Sequence, residues 1–329
     1  MANQNVGTPR FYIDKTSYLQ LAGIAKADDN SWGYGLDVSN PRTVTGTGST
    51  FYMDFRNYLD ENGANVLHSE SYNFLAVLGH NFKSTEESYV NMNLSWADET
   101  GNVGDAQEDG TGKSVNILSS YLEVDYDGFS IMSFDEFNEP HYLMYLRVGD
   151  IVSGAVIKIG RVAVGTYYDM PHSPELSLTM SHEYDGIKKQ ETAGGSTLSY
   201  ANYYKPPDWG DLQAWQLGGW DRKYSGRRVW DLTFNHLSDS DLEPYHYNID
   251  NTSGHSNWND DGNWFTNVIH YTNGGQLPFI FCPDPSISYN STTWTVPEFA
   301  ICRFDMKTFK REQVANGIYN IKVKIKESW

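Results

Sequence analysis

Alternation of apolar and polar side chains with a period of two runs through most of this chain, the pattern of strands with one buried and one wet face. The segment "GIYNIKVKIKESW" sets Tyr319, Ile321, Val323 and Ile325 against Asn320, Lys322, Lys324 and Lys326. In "RRVWDLTFNHL", Trp230, Leu232, Phe234 and His236 alternate with Val229, Asp231, Thr233 and Asn235. "SLTMSHEY" repeats the pattern with Leu178, Met180, His182 and Tyr184, and "AVIKIGRVAVG" brackets a Gly-Arg step with Val156, Ile157, Ile159, Val162 and Val164. The apolar run Phe74 to Leu78 in "YNFLAVLGHNF" reads as a fully buried strand. Gly79 permits its sharp exit, and His80 and Asn81 saturate backbone groups of the turn rather than serving a metal or a reaction.

The helical period is scarce. "DDGNWFTNVIHYTNGG" predicts one helix, with Asp261 near its start and Gly274-Gly275 stopping it, laying Trp264, Phe265, Val268 and Ile269 onto a sheet. "TSYLQLAGIAKAD" is a weaker helical segment. Polar, Gly/Thr-rich residues at 40–50 and two prolines within 169–177 mark boundaries. The expected organisation is an N-terminal arm, 1–48, packing with the C-terminal domain; a β domain, 49–172; and a second β domain, 173–329. The fold class expected is mainly β, with two β-sandwich-type domains, the C-terminal one carrying a short helix packed on its sheet.

Composition narrows the function. The chain has 329 residues, and its 42 acidic side chains against 24 basic ones give a formal charge of −18, which repels phosphate backbones and excludes a general nucleic-acid binder. The run "DETGNVGDAQEDG", 98–110, reads as a solvated acidic loop. The opening residues offer no apolar stretch of signal-peptide type, and no run of eighteen apolar residues predicts a membrane span. Cys282 and Cys302 lie in two apolar strand-like runs that can pair side by side; buried thiols are the default and a disulfide the alternative.

Several short motifs tempt a chemical reading. "FNEP" places Glu139 in a triplet that recurs in barrel-type glycosidases, but the alternating helices such a barrel needs are missing from the pattern, and a turn is the simpler reading. "DGTGKS" lacks the first glycine of a phosphate loop, where Gln107 stands. "NWNDDGNWF" has calcium-loop spacing up to Gly262, yet Val268 occupies the position of the bidentate glutamate. The nine histidines form no metal-ligand spacing. No catalytic residue, cofactor or metal is therefore expected. Trp209, Trp215, Trp220 and Tyr224 crowd one Gly/Pro-broken stretch, suited to an interface or to stacking on sugar rings.

In "SGRRVWDLTFNHLSDSDL", "NWFTNVIHYTNGGQLPFIFCPDP", "PEFAICRFD" and "GIYNIKVKIKESW", an R-x-W-x-L-x-F strand, a helix, a Gly, an F-x-F-x-P strand, an R-F strand and a closing strand ending in Glu follow in order from Arg228 to Glu327. This order resembles the C-terminal half of bacteriophage tail-tip proteins, the distal tail and minor tail proteins. "NFLAVLGHNF" with "VIKIGRVAVG" is similar to the galactose-binding-like jelly roll inserted in some of them. Simple distal tail proteins lack so large a middle domain, which leaves the tail component open. The resemblance implies a non-enzymatic virion protein, made in the host cytoplasm. It would form a homo-oligomer, a hexameric ring, and contact tail tube and tail hub proteins. The jelly roll would meet receptor-binding proteins or host surface glycans, with no nucleic acid and no membrane insertion. Arg227, Arg228, Trp230 and Arg303 are the expected assembly interface, with local pairing to Asp231 or Asp305 as the alternative for the arginines. Two other readings remain: a carbohydrate-binding adhesion module, and a glycan hydrolase using Glu139.

Overall fold

The closing strand, Ile318–Glu327, keeps the alternation its sequence carries: Ile321, Val323 and Ile325 are buried, while Lys322 is exposed. It pairs antiparallel with the long strand Arg227–Ser238, placing Trp230 opposite Ile325, Leu232 opposite Val323 and Phe234 opposite Ile321. Cross-strand partners point to the same face, so these six side chains form one apolar surface. The computed structural model describes residues 6–21, 42–45, 51–54, 72–79, 91–97, 115–116, 129–137, 143–149, 156–183, 187–201, 208–209, 212–213, 227–244, 262–287 and 298–328. They are mainly β, in antiparallel sheets, as the alternation predicts.

The chain divides into two compact units, one of 1–13, 167–206 and 223–329, the other of 14–166 and 207–222. In the first, an antiparallel sheet runs in the order Thr179–Glu183, Arg227–Ser238, Ile318–Glu327, Ala300–Phe304, Phe279–Cys282 and Arg10–Asp14, the last up to Ile13. Arg311–Ala315 adds a short strand beside Ile318–Ile321. The register continues the apolar face across the sheet, through Phe279 opposite Cys302 and Phe11 opposite Phe281.

A π-helix, Phe265–His270, packs on this face, where the sequence predicts a helix. Trp264 stands edge-on to Phe11 at 5.0 Å and to Phe304 at 5.9 Å, and Phe279 meets Phe304 at 4.6 Å. Each such aromatic pair contributes about 0.5–1.5 kcal/mol beyond its buried area. Asp261, expected near the start of this helix, lies outside the described residues. Buried Asn263 accepts the Thr266 N–H at 2.9 Å on its side-chain oxygen, as N-terminal caps do. Gly274 and Gly275 end the helix with φ of 65° and 90°, backbone that glycine adopts without strain.

Two alternation readings are corrected. His236 takes φ 60° at a bulge between Phe234 and Leu237, so it faces solvent and Leu237 takes the inward place. In Thr179–Glu183, the terminal strand of its sheet among the described residues, neither side-chain row is buried. Its neighbouring hairpin, Ile187–Glu191 with Thr197–Ala201, forms a separate two-stranded sheet.

In the second unit, Tyr72–Leu78 pairs with Arg161–Gly165 on one side and Phe129–Phe137 on the other. Phe74 to Leu78 are buried, and Gly79 takes φ 67° as the chain leaves the sheet. That bears out the predicted strand and its glycine exit; His80 and Asn81 lie outside the described residues. A four-stranded sheet, Phe51–Asp54, Leu143–Gly149, Asn91–Ala97 and Val115–Asn116, and the pair Arg42–Thr45 with Val156–Ile159 complete its main strands. The weaker helical segment is a helix, Lys15–Leu21. Asp14 caps it, accepting the Thr16 N–H at 3.1 Å while Arg161 donates to its other oxygen at 2.5 Å.

Candidate functional site

The first unit holds two features, of which the sequence pattern touches only the first. The first is a buried charge cluster. Strand alternation puts Arg228 on the face of Trp230 and Leu232, and it puts Glu327 on the face of Val323 and Ile325. The register pairs Val229 with Lys326, so the next residues outward, Arg228 and Glu327, meet through their side chains. Arg228 donates from Nη2 to Glu327 Oε1 at 2.8 Å, from Nε to Glu327 Oε2 at 3.1 Å and from Nη1 to Glu298 Oε1 at 2.6 Å. It also donates from Nη2 to the Phe299 carbonyl at 3.1 Å and from its own backbone N–H to Glu327 Oε2 at 3.0 Å. Burial disfavours the charged guanidinium, but Glu327 and Glu298 together hold its pKa above the ordinary arginine value. Glu327 closes the predicted pattern, but the sequence reading placed its partner Arg228 in an assembly interface; the missed signal is that Arg228 shares the alternation of Trp230, Leu232 and Phe234.

The expected assembly residues therefore separate. Trp230 is 2% exposed and meets Phe281 at 5.1 Å inside the sheet's aromatic face. Arg228 is engaged within the chain by Glu327 and Glu298 rather than by Asp231 or Asp305. Arg227 stands opposite Glu183 in the strand register. Arg303 is exposed and donates to the Gln276 carbonyl at 2.7 Å. Asp305 pairs with Lys324 at 2.6 Å. Among the sugar-stacking candidates, Trp209 lies in a two-residue strand paired with Leu212–Gln213, its side chain outside the description. Trp215, Trp220 and Tyr224 lie outside the described residues, as do Glu139 and the calcium-type residues Asn257 to Asp261. Cys282 and Cys302 sit in adjacent strands, as expected, and are both buried free thiols. No group of metal-ligating side chains occurs among the described residues.

The second feature is an open cleft of about 750 Å³. Its apolar floor comes from Trp264, Phe265 and Ile269 of the helical segment, Ile321 and Val323 of the closing strand, and Phe309. Phe309 stands edge-on to Phe304 at 5.2 Å, which fixes the floor to the aromatic core. Lys307, Lys310 and Arg311 line it as well, with Glu243 as the acidic member. Arg311 pairs with Glu243 and stands opposite Ile321, which aims it to the face of the floor. Lys322 also borders the cleft, but strand alternation sends its side chain to the other face, opposite Thr233. No sequence motif flags this cleft, because a turn, a helix and two strands supply it from separate parts of the chain.

No known protein family, curated protein or solved structure matches this chain.

Proposed function

We propose that this chain is a structural subunit of a bacteriophage tail tip, which assembles with copies of itself into a hexameric ring and links the tail tube to host-adhesion components. The ordered pattern from Arg228 to Glu327 supports the tail-tip assignment by resemblance. One observation supports the assembly part: the sheet of the first unit ends on Thr179–Glu183, a strand whose first four residues are exposed. Among the described residues it pairs only with Arg227–Ser238. A terminal strand leaves a row of backbone donors and acceptors to which another chain can add. When that addition is made to a different part of the neighbouring copy, repeated contacts close into a ring if the rotation per subunit allows. The Arg228–Glu327 pair lies at the adjacent strand and fixes its end, so the edge belongs to a stiff sheet.

The test is size-exclusion chromatography with light scattering on the whole chain, followed by negative-stain imaging. A ring-sized species is expected for the wild type. Met180→Lys, which places a charge at an already exposed position of the terminal strand, should shift the population to monomer without changing the circular dichroism spectrum. A wild-type chain that stays monomeric at every accessible concentration overturns the reading.

A further inference from the structure

We infer that the cleft beside the helical segment receives an acidic segment of a second copy of this chain, the run Asp98 to Gly110, which makes it an interaction site between subunits. The inference rests on the self-assembly reading and specifies one of its contacts.

The argument begins with charge. Copies carrying a formal charge of −18 repel one another, so their association is helped most by a surface where the sign is locally reversed. The cleft is such a surface. Lys307, Lys310 and Arg311 face one carboxylate, Glu243, which Arg311 already engages. Neither Lys307 nor Lys310 has a hydrogen bond or ion pair among the described residues. Their neighbour Lys324 shows what local neutralisation looks like in this unit: it holds Asp305 at 2.6 Å. The two cleft lysines keep their charge available.

The floor adds a second requirement. Trp264 and Ile269 are buried at its base, whereas Phe265 and Phe309 are half-buried, leaving apolar surface inside a cationic rim. The occupant should then be anionic at its ends and carry a small apolar side chain between them. The run "DETGNVGDAQEDG" has that order: Asp98 and Glu99, then Val103 and Ala106, then Glu108 and Asp109, with Asp105 between the two apolar residues and no lysine or arginine anywhere in the run. Its glycines let the backbone follow a concave wall. Phosphate or nucleic acid would satisfy the rim but leave the floor unused, and the overall charge repels both.

The test titrates a fluorescently labelled peptide of residues 98–110 with the full chain and reads anisotropy. Wild type should bind it, with affinity falling as salt rises from about 0.05 to 0.5 M. The variant Lys307→Glu/Lys310→Glu should bind at least about tenfold more weakly, since both changes lie at the charged rim. A peptide with every Asp and Glu changed to Asn and Gln should not bind. Both lysines are exposed, so the variant should keep the wild-type unfolding temperature, which is measured alongside. In the full chain, neutralising the acidic run and reversing the two lysines should each weaken the association seen by light scattering. Equal binding of the neutral peptide, or binding unchanged by the lysine reversal, overturns the inference. An assembled ring that neither change weakens also overturns it and leaves the assembly reading intact. A chain that is monomeric until its own acidic run is neutralised, and only then accepts the peptide, shows the run occupying its own cleft and overturns the second-copy assignment.

Discussion

Replacing Arg228 by methionine should be among the most damaging single changes in the first unit, and the structure says why. The guanidinium is 12% exposed and supplies three hydrogen bonds to two carboxylates. Its main partner, the Glu327 side chain, is only 4% exposed. Once the arginine is removed, Glu327 keeps the backbone N–H of residue 228 at 3.0 Å and has little access to water. Glu298, at 30% exposed, can turn outward and recover hydration. The cost is therefore dominated by one buried, uncompensated carboxylate, and removal of one member of such a pair costs about 3–5 kcal/mol. In a unit of this size about 3 kcal/mol corresponds to roughly 6–12 °C in melting temperature.

Replacing both members separates this account from simple loss of packing. Arg228→Met with Glu327→Leu removes the stranded charge along with its partner, and apolar replacements of a buried pair are often neutral or stabilising. The double variant should therefore be more stable than Arg228→Met alone, by about 2 kcal/mol or more of coupling. Glu298→Gln should cost only about 1 kcal/mol, because solvent already screens that partner. Denaturant unfolding followed by near-ultraviolet circular dichroism, which reports the aromatic core, measures these proteins together with Glu327→Leu alone, which completes the double-mutant cycle. If Arg228→Met costs under about 1 kcal/mol, or the two changes simply add, the buried-charge argument is wrong.

Four further outcomes follow from local structure. Gly275→Ala should destabilise by about 1–3 kcal/mol, since the residue holds φ 90° and a Cβ there would meet the Phe304 Cβ at 3.0 Å; Gly274→Ala, with φ 65° and open space, should cost about 1 kcal/mol, and equal costs in thermal unfolding would show that the Phe304 contact does not matter. Burial pushes the Cys282 thiol up to about 12 and that of Cys302 well above its ordinary value, so iodoacetamide at pH 8 should label neither in the folded chain and both after denaturation, as read by intact mass. Between pH 9 and about 12 the unfolded chain releases a proton that folded Cys282 retains, so stability should fall as pH rises through that window, and Cys282→Ala should flatten the fall; an unchanged slope would remove the thiol from the account. Asp14→Ala, which removes both the helix cap and the partner of Arg161, should cost more than Asp14→Asn, which keeps an accepting oxygen for the Thr16 N–H; identical melting shifts would argue that capping contributes nothing there.

How much of this was readable beforehand depended on how local each signal was. The inward row of the closing strand and the Phe74–Leu78 strand could be read directly, because a period of two assigns each side chain to a face once a strand is granted. The same rule failed at His236, where one inserted residue shifts the count and hands the inward place to Leu237. It failed again in Thr179–Glu183, whose alternation is real but whose two side-chain rows both stay uncovered. Neither circumstance is written in the segment itself, since strand order and bulges are decided by partners far along the chain.

The functional residues show the same division. Arg227, Arg228 and Arg303 share one residue type but have three different environments: Glu183 stands across from Arg227, Lys326 across from Arg303, and Arg228, across from His182, reaches Glu327 through its side chain. Reading them as one outward set treated charge as a property of the residue, whereas register makes it a property of the pair. Arg228 faces the aromatic side and is enclosed, and it then stiffens the strand end next to the sheet's open edge. The cationic cleft has no counterpart in any single stretch, since Glu243, Trp264, Lys307 and Ile321 meet only after the sheet has formed. The buried arginine and the exposed lysines thus end in opposite environments of one sheet, the first enclosed against Glu327 and Glu298 and the others standing at the rim of the cleft.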